Sequence, residues 1–220
     1  MKVISSSQIE SSNTMYFIYG QGGTGKTSLI KNHPAEKKLV ITFDSSHEVL
    51  ADTDGIDVIV PNINELQNMH KLLPGLLMDS VKQGYGIVML DNVSNVSETI
   101  LDTLKAENKD GRMAYGQLQT WFRKLAQLMN TQPVDFYVTA WESVEQETIG
   151  LNEVTRYYPM MNQKARSMFL GLFDFVGRIH VNAEGERIIT TAPNEYTYSK
   201  NRLSNNEEFN ANELWNQKEN

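Results

Sequence analysis

From about Thr14 to Arg202, short apolar runs alternate with stretches whose apolar residues recur every three or four positions. Met15–Tyr19, Leu39–Phe43, Ile56–Val60, Gly86–Leu90 and Val134–Thr139 are nearly unbroken apolar runs, the pattern of strands buried on both faces. Between them, Lys26–Asn32 reads as a helix stopped before Pro34. Leu66, Met69, Leu72 and Leu73 mark a second helix, with Asn64 as its cap and a kink or end at Pro74-Gly75. Val96, Ile100, Leu101 and Leu104 mark a third, and Leu118, Trp121, Phe122, Leu125, Leu128 and Met129 a longer fourth. After Thr139 the pattern changes. Gly177–Asn182, Arg187–Thr191 and Glu195–Ser199 read as antiparallel strands, the first two joined by a turn at Glu184-Gly185. Alternating strands and helices predict an α/β fold: a mainly parallel sheet flanked by helices, with a C-terminal antiparallel β extension.

The ends break this pattern. Residues 1–13 are polar and lack an apolar signal core, so they are expected to be a flexible tail, and secretion is not expected. Residues 203–220 carry four Glu against one Lys, a net charge of −3, and are expected to be a flexible acidic tail. That leaves one domain over 14–202. The whole chain of 220 residues has 20 Lys and Arg against 27 Asp and Glu, a net charge of −7, which argues against coating duplex DNA by bulk charge. It contains no cysteine, which excludes disulfides, thiolate metal sites and a cysteine nucleophile. No apolar run reaches membrane-spanning length, so a cytoplasmic location without membrane contact is expected. His33, His47, His70 and His180 show no metal-ligand spacing.

One segment carries specific chemistry. Gly20-Gln21-Gly22-Gly23-Thr24-Gly25-Lys26-Thr27, followed by Ser28, matches G-x-x-x-x-G-K-[ST] in full, with an apolar strand before it and a helical pattern after. Glycines let the backbone fold into a nest of inward-facing N–H groups, Lys26 supplies charge to the β- and γ-phosphates of ATP, and the Thr27 hydroxyl ligates Mg²⁺. Such a site needs an acidic residue at the tip of a buried strand. Ile87-Val88-Met89-Leu90-Asp91-Asn92 provides it, with Asp91 as a second Mg²⁺ ligand. A strand-end Asp also serves as a helix cap, so both readings of Asp91 stand at this level.

In these features the chain resembles the RecA-like recombinase core, most closely the phage P-loop proteins described as RecA-like single-strand annealing (Sak-type) proteins. It is also similar to the ATPase core of the bacterial RadA branch-migration protein. The resemblance rests on the phosphate loop, on Val88–Asn92, on Tyr115–Leu118 continuing through Phe122–Leu125 to Phe136–Thr139, and on Phe173–Ile179 followed by Lys200-Asn201-Arg202. It implies a RecA-like P-loop NTPase in which a strand is inserted between the phosphate-loop strand and the Asp91 strand. It also implies a homo-oligomer with nucleotide sites between subunits, where Lys200 and Arg202 act across the interface on the neighbour's nucleotide. Thr139 stands where a sensor of the γ-phosphate is expected, before Trp141. One position departs from the family: in Phe43-Asp44-Ser45-Ser46-His47-Glu48, Ser46 stands where a catalytic Glu is expected, and Asp44 or Glu48 is left to replace it. Glu48 is taken here with Lys26, Asp91, Lys200 and Arg202 as the catalytic set. ATP hydrolysis is accordingly expected to be slow or DNA-stimulated.

The resemblance also places two segments along a DNA path. Lys105–Arg112 has three cations and two carboxylates, a net +1. The segment from Trp141 to Arg166 begins acidic and then turns basic and aromatic at Arg156, Tyr157, Tyr158, Lys164 and Arg166, residue types that pair phosphates and stack bases. The implied function is an ATP-binding, ATP-hydrolysing phage recombination protein. It would bind single-stranded DNA and promote annealing or strand exchange, with a single-strand-binding protein or other recombination proteins as partners, in the host cytoplasm. The alternative is a P-loop nucleotide switch acting on a protein partner without touching DNA, which the acidic charge and the missing Glu favour.

Overall fold

The computed structural model describes residues 5, 13–149, 152–192 and 196–217. The apolar runs become β1 (Met15–Gly20), β2 (Lys38–Thr42), β3 (Ile56–Ile59), β4 (Ile87–Asp91) and the first part of β5 (Asp135–Ile149). These five strands are mutually parallel, in the order β1-β5-β4-β2-β3. β5 thus lies between the phosphate-loop strand and the Asp91 strand, the inserted-strand order of a RecA-like P-loop NTPase. On the other side of β1, β7 (Phe175–Val181) runs parallel to it, and β8 (Arg187–Thr190) and β10 (Glu208–Asn210) extend the sheet antiparallel. β9 (Lys200–Asn201) pairs with the start of β7. A mainly parallel sheet with a C-terminal antiparallel extension is the expected fold class.

Two faces are covered differently. On one lie α2 (Met69–Lys82), α3 (Val93–Glu107), α4 (Gly111–Asn130) and α5 (Gln163–Leu170), packed against Phe17, Tyr19, Ile41, Val88, Leu90, Phe136 and Val138. The opposite strand positions, Tyr16, Ile18, Val40, Met89 and Tyr137, are covered by three 3-10 segments at 27–32, 46–50 and 211–216. Among the described residues, no helix is long and apolar enough to cross a membrane.

Several sequence expectations change. The helix after the phosphate loop is a single 3-10 stretch, Thr27–Asn32. Ile56–Ile59 is an edge strand, half exposed rather than buried on both faces. The cap before Leu66 is Asn62, which opens α1 (Ile63–Gln67) with a reciprocal Glu65 capping box. Pro74 does not end α2. A proline deprives the carbonyl four residues earlier of its helical partner, and here the Trp121 indole N–H donates to the His70 carbonyl oxygen at 2.9 Å. The segment after Thr139 is not an open loop but a hairpin of the long β5 with β6 (Asn152–Pro159), followed by α5. Glu195, at the start of the expected third antiparallel strand, lies outside the described residues; β9 is a two-residue pairing further on.

The acidic tail is also corrected. Of residues 203–220, Glu208–Asn210 form the sheet edge and Ala211–Asn216 a 3-10 segment with Ala211 and Leu214 buried. Trp215 stacks edge-on to Tyr16, Tyr137 and His33, and its indole N–H donates to the Leu29 carbonyl oxygen at 2.8 Å. Apolar residues hidden among the Asn and Glu complete the second layer. The expected N-terminal tail lies, apart from Ser5 and Asn13, outside the described residues.

Candidate nucleotide site

At the carboxyl end of β1 the chain leaves the sheet through Gly20. A Cβ there would collide with the Ile179 carbonyl oxygen of β7, so the position tolerates only glycine. Gly23 and Gly25 have φ of +79° and +89°, the left-handed conformations that curl the loop. The Thr24 hydroxyl closes it by donating to the Gln21 carbonyl oxygen at 2.9 Å. The short 3-10 segment that follows offers a weaker dipole than a full α-helix. Phosphate binding here therefore falls mainly to the loop N–H groups and to Lys26.

Lys26 is buried. Its Nζ donates to the carbonyl oxygens of Gly20 and Gln21 at 2.8 and 2.7 Å, across the mouth of the loop. Burial lowers its pKa, against the pull of Asp91, Glu142 and Asp44. A cation held so far from bulk water is ready to exchange carbonyl partners for phosphate oxygens, whose negative charge favours its charged form.

Asp91, at the tip of β4, is buried and accepts three hydroxyl hydrogen bonds. Thr27 donates at 2.7 Å and Ser46 at 2.6 Å, both to Oδ2, and Thr139 donates to Oδ1. The position expected to hold a catalytic Glu thus holds a hydroxyl turned onto the Asp91 carboxylate. Asp44 lies beside it: Oδ1 accepts from the Ser46 N–H at 2.8 Å and Oδ2 from the Asn92 amide. Asn92 also caps α3 by accepting from the Asn95 N–H, so the capping role expected of Asp91 belongs to its neighbour. The peptide bond between Asp91 and Asn92 is cis.

Asp44, Ser46, Asp91 and Asn92 line one cleft of about 290 Å³ together with Gly22, Gly23, Gly25, Lys26, Thr27, Ser28, Val49, Trp141 and Arg187. Asp44 and Asp91 are its two carboxylates among the described residues. The Thr27 hydroxyl and Asp91 are hard oxygen donors in contact, a set that suits Mg²⁺ completed by water and phosphate oxygens. Glu48 is not brought to the cleft; it is exposed on the 46–50 segment. Sequence reasoning passed over Arg187, whose only signal is its place after the Glu184-Gly185 turn. Nothing in the sequence says that β7 lies beside β1.

Lys200 and Arg202 sit elsewhere. β9 pairs with Phe175 and Val176, level with Tyr16 and Phe17 and so toward the end of β1 away from the phosphate loop. Lys200 Nζ donates to the Gly171 carbonyl oxygen at 3.1 Å and to that of Phe173, and burial lowers its pKa, with Arg202 adding to the effect. Neither residue lines the cleft of its own chain.

The two segments expected along a DNA path differ. In the segment from Trp141 to Arg166 the arginines are paired internally, Arg156 of β6 with Glu147 at 2.9 Å and Arg166 of α5 with Glu145 at 3.5 Å, and Arg178 of β7 pairs with the buried Glu142 at 2.5 Å; Lys164 is exposed. The Tyr158 hydroxyl donates to Glu147, Arg166 lies over the Tyr158 ring, and Arg178 over the Tyr157 ring. Around α4, Arg112 and Tyr115 are exposed, with Lys105 Nζ 5.6 Å from the Tyr115 ring centre. These cations too have acidic neighbours at the surface, Lys105 with Asp102 at 3.6 Å and Arg112 with Asp110 at 3.9 Å.

Residues 12–203 match the family model described as AAA domain (AAA_24). No curated protein matches the chain. Among solved structures, a KaiC-like protein from the hyperthermophilic archaeon Pyrococcus horikoshii OT3 is similar over 80% of this chain and 77% of its own, with 13% identity and a TM-score of 0.44.

Proposed function

Given that the chain belongs to the AAA domain family, we propose that it is a Mg²⁺-dependent ATPase that turns over slowly by itself and acts on single-stranded DNA as an oligomer. The observation that carries the nucleotide part is the cleft in which Lys26, Thr27 and Asp91 converge at the mouth of a complete phosphate loop. The loop N–H groups and Lys26 hold the polyphosphate. Thr27 and Asp91 would hold Mg²⁺, which supplies charge neutralisation on the phosphate oxygens when bound. Hydrolysis forms a bond from water oxygen to the γ-phosphorus and breaks the bond to the bridging oxygen, releasing ADP and phosphate. Asp44 is the carboxylate placed to orient that water and take its proton. Each of its oxygens keeps a lone pair beyond the hydrogen bond it already accepts. An aspartate held back by Ser46 and Asn92 reaches less far than a glutamate, which supports slow turnover.

The DNA part rests on the resemblance and on the exposed Lys105, Arg112 and Tyr115, a cationic and aromatic set suited to a flexible strand. Lys200 and Arg202 are proposed to act on the nucleotide of a neighbouring copy, since their own cleft lies out of reach. A second reading, a nucleotide switch for a protein partner, draws support from the internal pairing of the hairpin cations.

Phosphate release from ATP, with and without single-stranded DNA, tests these readings. The expected result is stimulation by DNA that vanishes in Lys26→Ala, and activity regained when Lys26→Ala and Arg202→Ala chains are mixed. No effect of DNA on turnover, with no DNA bound, would favour the protein switch. Mixtures as inactive as their components would remove the role of Arg202 between subunits.

A further inference from the structure

We propose that Arg187 is a nucleotide-contacting residue supplied by the same chain, which grips the α- and β-phosphates shared by ADP and ATP. The inference deepens the nucleotide reading above and rests on it.

Three observations place Arg187 there. Its side chain lies against the phosphate loop at Gly25: a Cβ added there would be 2.9 Å from its Nε and 3.1 Å from its Cδ. It lines the same cleft as Lys26, Thr27 and Ser28. It is exposed and forms no ion pair with any described carboxylate, whereas Arg156, Arg166 and Arg178 each have one.

The scaffold holds it in place. Arg187 is the first residue of β8, paired with Val181 at the end of β7, and β7 abuts the loop at Gly20. The intervening turn is locked by the Asn182 side chain, which accepts from the N–H groups of Glu184 and Glu186 at 3.1 and 2.8 Å, and by Gly185 at φ +83°. Gly25 is required twice over, by its φ of +89° and by the arginine lying across it.

The choice of phosphates follows from which groups are near. Backbone N–H groups of such a loop cradle the α- and β-phosphates, while the lysine reaches the β and γ. Arg187 rests on the loop backbone at Gly25. It makes no hydrogen bond to Asp44, Ser46, Asp91, Asn92 or Thr139, the groups tied together where the γ-phosphate chemistry is proposed. A guanidinium there forms charge-assisted hydrogen bonds to phosphate oxygens in a fork that an ammonium copies only in part.

The test is equilibrium titration of wild type, Arg187→Ala and Arg187→Lys with fluorescent ADP and ATP analogues. Arg187→Ala should weaken both nucleotides by a similar factor, about tenfold, as expected for one charge-assisted bond. Arg187→Lys should recover part of that loss, and the thermal midpoint without nucleotide should stay at the wild-type value. Affinities within twofold of wild type for both nucleotides would overturn the proposal. So would a loss confined to ATP, which would move Arg187 to the γ-phosphate. If wild type itself binds neither nucleotide, the site reading falls and takes this inference with it. Binding by wild type with no effect of the substitution sinks the inference alone.

Discussion

A carboxylate offers about four lone-pair positions, and Asp91 has three of them filled by hydroxyls from three different elements. That array fixes where its charge points before any ligand arrives. It also accounts for Ser46. A glutamate there would set a second carboxylate against Asp91 and raise the pKa of one of them, whereas a hydroxyl donates to it. In the proposed hydrolysis the water-orienting task then passes to Asp44. From the sequence both Asp44 and Glu48 can replace the missing Glu, because both lie within a few residues of Ser46 and nothing in spacing separates them; Glu48 is the one taken into the catalytic set. The 3-10 turn at 46–50 separates them, by keeping Asp44 on the cleft and carrying Glu48 away. Asp44→Asn should lower single-turnover hydrolysis by about a hundredfold while leaving ATP affinity near wild type, as for loss of a general base. Glu48→Gln should leave both unchanged. A rate for Asp44→Asn close to wild type would return the assignment to an unidentified group.

At the scale of elements, the buried strands and the phosphate loop were legible because their signals are local: unbroken apolar runs, and a motif whose residue types each perform one task. What was illegible depends on contacts distant in sequence. Pro74 stays inside α2 because Trp121, on α4, donates to the carbonyl that the proline leaves bare. The C-terminal segment looked like a solvated tail because Phe209, Leu214 and Trp215 are scattered among Asn and Glu, yet they cover the sheet face beneath the phosphate loop. Leu214 is fully buried there. Leu214→Ala should therefore cost about 2–5 kcal/mol in urea unfolding, the range for a large aliphatic side chain removed from a core. A cost below about 0.5 kcal/mol, that of an ordinary surface substitution, would mean that the segment does not pack in solution. Because Trp215 also holds the Leu29 carbonyl, loosening this segment should loosen the loop's supporting turn.

At the scale of the whole molecule, charge and topology point the same way. With a net charge of −7, the chain holds Arg156, Arg166 and Arg178 in internal pairs, while Arg187 lies exposed on the nucleotide cleft with no ion pair among the described residues. The sheet order brings β7 against β1, which carries the β7–β8 hairpin to the nucleotide cleft and leaves Lys200 and Arg202 toward the other end of the strand. One subunit thus has a phosphate loop, a metal-site carboxylate and a flanking arginine on one cleft. Whether this cleft is a Mg²⁺–ATP site is decided by calorimetric titration of the chain with ATP, with and without Mg²⁺ and beside Lys26→Ala. One site per chain is expected, tighter with Mg²⁺ and lost in the variant. Absence of binding to the wild-type chain, or equal affinity in Lys26→Ala, would contradict the assignment.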